Sequence, residues 1–210
     1  MKKLLALVLA ALMILVLVAC NNTEETTTGN NETSSTTSTT ETTESTEAPK
    51  PPIAANALEI MDNIWASYDD DNRFFCFGGY PGAEEMVENG PATLPLNTDA
   101  LYNWFQLPEA TVALVDDAAS LCHGMNTNSF TAAVFHLKDE GDAEAFANSF
   151  KETIQDYHFV CGAPTWFTVI SLGDGYVLRI SGADGLVETF RDAALALYEG
   201  ATVICDESVR

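Results

Sequence analysis

The chain reads as an α+β protein: an antiparallel sheet of four to five strands with helices on one face, laid out as two helices followed by two ββα units. Three observations predict this. From residue 111 onward, two apolar, alternating stretches precede a helix-period stretch, and the pattern then recurs. The second stretch is apolar on both sides: Phe130, Ala132 and Val134 alternate with Ala133, Phe135 and Leu137, which suits a central strand. Gly173-Asp174-Gly175 between two further apolar runs is a strong hairpin signal.

Each element follows from local spacing. Residues 55–68 carry Leu58, Met61, Ile64, Trp65 and Tyr68 as one apolar stripe, which predicts a first helix. Asp69-Asp70-Asp71-Asn72 cannot extend that stripe and ends it. Residues 73–95 are rich in Gly and Pro and read as irregular, with a short helix over 83–88. Asn97-Thr98-Asp99 is an N-cap for a second helix through Leu101, Trp104 and Phe105. Residues 111–121 and 129–137 read as strands. A helix over 141–157 turns Ala143, Phe146, Ala147, Phe150 and Ile154 to one side. Strands over 165–172 and 176–181 form the hairpin. A last helix over 184–198 points Leu186, Phe190, Ala194 and Leu197 inward, and residues 202–205 add a short edge strand.

The start of the chain is a different kind of sequence. Met1-Lys2-Lys3 precedes an unbroken apolar run over 4–18, then Ala19-Cys20. A basic stretch, an apolar stretch and a small residue at a cut point mark an export signal. The run is short for a bilayer, which needs about 20 apolar residues. Leu17-Val18-Ala19-Cys20 resembles the lipobox of bacterial lipoproteins. That resemblance implies a signal over 1–19, a lipidated Cys20, and a protein held on the outer face of the membrane through its lipid. Residues 21–52 are mostly Thr, Ser, Glu and Asn and cannot bury a core, so 20–52 reads as a lipid-bearing, disordered tether. Its flexible span is about 30 Å. Residues 53–210 form one domain of ordinary size. Thr/Ser-rich acidic tethers of this sort resemble those of Gram-positive lipoproteins.

From Ile53 the domain carries 25 acidic residues against six basic ones. That excludes nucleic acid, which needs a basic footprint, and disfavours direct docking to anionic lipid. A cationic partner is compatible with it, and so is plain solubility of an exported protein. Setting Cys20 aside leaves Cys76, Cys122, Cys161 and Cys205. An exported protein permits disulfides, and the expectation is at least one bridge among the four, with Cys161–Cys205 the first choice.

Residues 97–194 resemble an uncharacterised family of clostridial, Gram-positive cell-surface lipoproteins carrying a domain of unknown function. The residues that carry the likeness are Thr131 to Asp139 with its Lys138-Asp139 turn, Asp142-Ala143 in the following helix, and Gly175-Tyr176-Val177-Leu178 before the final helix. The resemblance implies a surface location and supplies no activity and no site residues.

A search for chemistry yields little. Gly-x-Ser-x-Gly, Ser-x-x-Lys, Cys-x-x-Cys and His-Glu-x-x-His are all missing. His123, His136 and His158 are not spaced as ligands, and Asp69 to Tyr80 fails the calcium-loop pattern at its sixth and twelfth positions, Phe74 and Tyr80. No catalytic, metal or cofactor residues are named on this basis. The unusual stretch is residues 74–82, where Phe74, Phe75, Phe77 and Tyr80 sit among three glycines and Pro81. Such rings either cover one end of the sheet or form an aromatic ligand surface. Trp104 and Trp166 suit either role. Two function classes follow. The first is a non-catalytic binding module for an envelope or extracellular ligand. The alternative is an extracytoplasmic hydrolase using carboxylates on a wall or external polymer.

Overall fold

The computed structural model describes residues 53–210. The expected signal over 1–19, Cys20 and the remaining tether lie outside the described residues. Helix α1 (Ala57–Ala66) is followed by three short strands, β1 (Cys76–Gly78), β2 (Val87–Glu88) and β3 (Ala92–Thr93). Helices α2 (Thr98–Phe105) and α3 (Glu109–Val112) lead into β4 (Val115–His123) and β5 (Phe130–Leu137). Then come α4 (Ala143–Asp156), β6 (Trp166–Gly173), β7 (Tyr176–Gly182), α5 (Asp184–Leu197) and β8 (Thr202–Ser208).

The fold is α+β, with one open antiparallel sheet in the order β2-β1-β4-β5-β7-β6-β8, and β3 also paired to β4. The sheet has eight described strands rather than four to five. The added ones fall in the stretch read as irregular. β1 and β3 lie end to end along one edge of β4: Phe77 pairs with Cys122, and Ala92 with Ser120. The helix expected over 83–88 is not formed; Val87–Glu88 pairs with β1 instead. Residues 111–121 are not one strand either. Pro108 precedes the single turn of α3, and β4 begins at Val115.

Helices cover both faces of the sheet, not one. On the first face, Ile60, Met61 and Ile64 of α1 and Phe190 of α5 pack on Leu121, Phe130, Val134 and Ile180. On the second, Leu101 and Phe105 of α2 and Phe146, Phe150 and Ile154 of α4 pack on Ala133, Phe135, Phe167 and Val169. Period-two alternation explains the division, since neighbouring strand residues point to opposite sides. Each fully buried ring or branched chain contributes about 1.5–3 kcal/mol. β5 and β7 are antiparallel neighbours. A twofold exchanging the two hairpins would stand perpendicular to the sheet and keep α4 and α5 on one face. They lie on opposite faces, so the two segments are not copies of one unit.

Carboxylates fix the point where the chain enters the domain. The Ile53 N–H donates to Asp174 Oδ2 at 2.8 Å, Ala55 N–H to Glu59 Oε2 at 2.7 Å, and Ala57 N–H to Asp117 Oδ2 at 2.7 Å. Asp174 sits in the β6–β7 turn, which packs beside the end of β5, because Leu137 N–H donates to Gly175 O at 2.9 Å. The β4–β5 turn lies at the other end of the same strands, about 25 Å away at the usual rise per residue.

Candidate functional site

A cavity of about 680 Å³ opens at the β4–β5 end of the second face. Four segments build it. Phe77 comes from β1 and Pro81 from the loop after it. Asn103 and Trp104 come from the last turn of α2. Residues 123–128 form the β4–β5 turn, and residues 157–161 follow α4. A second hollow of about 130 Å³ shares Asn126, Asn128 and Cys161 with the first and extends the groove toward Thr165 and Ala183.

Local bonds hold these segments together. His123 Nδ1 accepts from Met125 N–H at 3.1 Å and Asn126 N–H at 3.4 Å. An accepting Nδ1 leaves the proton of the neutral ring on Nε2. Asn126 Oδ1 accepts from Asn128 N–H at 3.0 Å, and Asn128 Nδ2 donates to Gly162 O at 2.7 Å. The second of these bonds ties the β4–β5 turn to the loop after α4. Across the cavity, Tyr157 O–H donates to Asn103 O at 3.2 Å. Tyr157 also meets Phe159 edge-on at 4.9 Å and Tyr102 at 5.8 Å.

Ser120 anchors the Phe77 wall. Its hydroxyl is fully buried, accepts from Gly79 N–H at 2.9 Å and donates to Gly79 O at 3.0 Å. Gly79 has φ +83°, a left-handed conformation that suits glycine. Gly78 is needed for another reason: a Cβ there would lie 2.0 Å from Ala92 N, where β1 gives way to β3.

Arg179 lies at the base of this face and is fully buried without a carboxylate partner among the described residues. It donates to Thr131 O at 3.2 Å, Gln106 Oε1 at 3.2 Å and Ser181 Oγ at 2.8 Å. Its guanidinium carbon stands 4.5 Å from the Phe150 ring centre and 5.9 Å from that of Phe105. Burial pushes its pKa down to about 9. Gln106 is the left-handed C-cap of α2, with φ +54°, so Arg179 holds the helix end that presents Asn103 and Trp104. Burial also pushes the Cys122 thiol up to about 12.

The four rings singled out in the sequence do not share one surface. Phe74 is half-buried, stacks on His123 at 5.3 Å and meets Trp65 and Phe130 edge-on, in the first core. Phe75 is 52% exposed and lies over Gly124, where a Cβ would come within 2.3 Å of its ring. Tyr80 packs against the second core, and Phe77 alone of the four lines the cavity. Only Phe77 lies in β1, where it faces away from Cys76; Phe74, Phe75 and Tyr80 lie outside the strand and are placed by the loops on either side.

All four described cysteines are free. Cys76 faces the first core and Cys122 the second. Cys205 lies mid-strand opposite Val169, while Cys161 is exposed on the cavity rim. Cys161 follows α4 and Cys205 follows α5, helices that lie on opposite faces of the sheet. Of the histidines, His123 and His158 line the cavity, whereas His136 bonds Asp116 at 2.6 Å at the far end of the strands. Among the described residues no group of three or more His, Cys, Asp or Glu is placed to hold a metal ion. Also among them, no helix is long and apolar enough to cross a membrane. No protein-family model matches the chain, and neither does any curated protein or solved structure.

Proposed function

We propose that the chain is a lipid-anchored, extracytoplasmic binding module whose ligand site is the cavity between α2, β1, the β4–β5 turn and the loop after α4. The observation that carries this reading is the cavity itself. Its volume lies in the range of small-molecule sites, and it combines rings with unspent polar groups. Met125 and Val160 stand at its mouth, 81% and 93% exposed, where a ligand would cover them. The entry point of the chain also supports it. The chain enters the domain at Ile53, at the end of the sheet opposite the cavity, so the entry segment does not cover the opening. The carboxylate hydrolase has less support, because no Asp or Glu lines either hollow and such chemistry needs two facing acids.

Two experiments test the two halves of the proposal. Replacing Cys20 with Ala should abolish labelling by a fatty-acid probe and release the protein from membranes; retained label would overturn the anchor. Saturation-transfer NMR against a mixed panel of sugars, short peptides and nucleosides should find a binder that Trp104→Ala or Phe77→Ala displaces. A panel in which nothing binds, or in which both variants bind as the wild type does, would overturn the site.

A further inference from the structure

We infer that the ligand is an uncharged saccharide chain of two or more rings, a step that rests on the cavity being the ligand site. Three observations lead there. The first is charge. One residue in five of the described domain is ionised, yet none of those lining the cavity or its extension is Asp, Glu, Lys or Arg. A charged ligand would leave water for a wall offering it, apart from the imidazoles of His123 and His158, no counter-charge, which is unfavourable. The acidic body of the domain further repels anions.

The second is the chemistry of the wall. Trp104, Phe77, Tyr157 and Phe159 offer flat apolar faces. The neutral polar groups between them are mostly amides. The Asn103 main-chain oxygen accepts from Tyr157 and Gln106. Its exposed side-chain amide remains open, as do the Asn126 NH₂ and the His123 Nε2–H. A sugar ring presents an apolar C–H face on one side and paired hydroxyls at its edge. Ring stacking serves the first, and amides, which both donate and accept, serve the second.

The third is shape. The main cavity continues into the 130 Å³ hollow lined by Asn128, Ser129, Cys161 and Thr165, again small and neutral. A single ring would leave one of the two hollows empty, whereas a short chain would reach both.

The test uses the full chain, with Trp104 fluorescence and calorimetry as readouts. Probes are the neutral trisaccharides N,N′,N″-triacetylchitotriose, cellotriose and maltotriose, the anionic trigalacturonate, and tetraglycine blocked at both ends (N-acetyl, C-amide) so that it is uncharged. At least one neutral trisaccharide should bind, and should bind at least about tenfold better than trigalacturonate. Trp104→Ala should weaken it by about tenfold or more, while Trp104→Phe, which keeps a stacking ring, restores most of the affinity. Thermal melts of both variants separate lost binding from lost folding. Equal binding of trigalacturonate would overturn the charge argument. Sugar binding unaffected by Trp104→Ala would place it elsewhere and overturn the inference. Tetraglycine binding that Trp104→Ala abolishes, with no sugar bound, would reject the saccharide and leave the cavity as the ligand site. If nothing in this panel binds, the saccharide is rejected, and the wider NMR panel decides the cavity separately.

Discussion

Replacing Ser120 with alanine should destabilise the domain by about 2–4 kcal/mol, far more than loss of a hydroxyl usually does. The side chain is fully buried and closes both polar groups of Gly79, at 2.9 and 3.0 Å. Alanine leaves the Gly79 N–H without a partner, and its C=O with only the weak Cys122 S–H donor at 3.9 Å, in a place water does not reach. Each orphaned group costs about 1–3 kcal/mol. For a domain of this size the melting temperature should fall by roughly 5–15 °C. Urea unfolding of wild type and variant gives the free-energy difference, and hydrogen exchange at the Gly79 amide locates it. Ser149→Ala is the comparison: it removes a half-buried hydroxyl pair with Thr111 (2.6 Å) and should cost about 1 kcal/mol or less. A Ser120→Ala loss below about 0.5 kcal/mol would refute the reasoning, since Gly79 would then find other partners without strain.

Three further outcomes are expected. Gly78→Ala should cost at least about 2–3 kcal/mol in the same unfolding assay, because its Cβ would meet the Ala92 backbone at 2.0 Å. Arg179→Met removes the buried charge but leaves Gln106 Oε1 and Ser181 Oγ without their donor, and should cost about 1–3 kcal/mol; Arg179→Ala, which adds a void, should cost about 3–5 kcal/mol. A Met variant as damaged as the Ala variant would show that the cation itself is needed. Between pH 9 and 12 the unfolded chain ionises Cys122 while burial keeps the folded thiol protonated up to about 12. Stability should therefore fall as pH rises above 9, and Cys122→Ala should flatten that fall by up to about 1.4 kcal/mol per pH unit. Urea titrations at pH 8, 9 and 10 measure it; Arg179, which the Cys122 thiolate would help keep charged, adds an opposing contribution, and Arg179→Met with and without Cys122→Ala separates the two.

Regular periodicity made the long elements legible. The stripe of α1, the inward face of α4, and β4 to β7 with their glycine turn all stand where spacing puts them, to within a few residues. The two-sided apolar pattern of β5 already required cover on both faces; one layer of helices would have left Phe135 or Val134 in water. β1, β2 and β3 were hidden because two or three residues cannot display a period. Their Gly and Pro neighbours, which look like breakers, are what lets two strands share one edge of β4. Arg179 was passed over as one polar residue in an apolar strand, where a solvent-facing edge is the ordinary explanation. The site was the least legible part. Phe77 was singled out and Trp104 noted, but residues 123–128 and 157–161 are joined to them only by the strand order, and nothing local marks them.

The position of the entry segment also has a mechanical side. Tension applied to the chain ahead of Ile53 enters the domain through the Asp174, Glu59 and Asp117 carboxylates and the start of α1. That load is taken up on the first face and at the β6–β7 turn. The walls of the cavity belong to the second face and the opposite end of the strands. A pull strong enough to peel residues 53–57 away would break three hydrogen bonds before it disturbed Trp104 or Phe77. The domain can thus be pulled at its entry segment without disturbing the cavity walls.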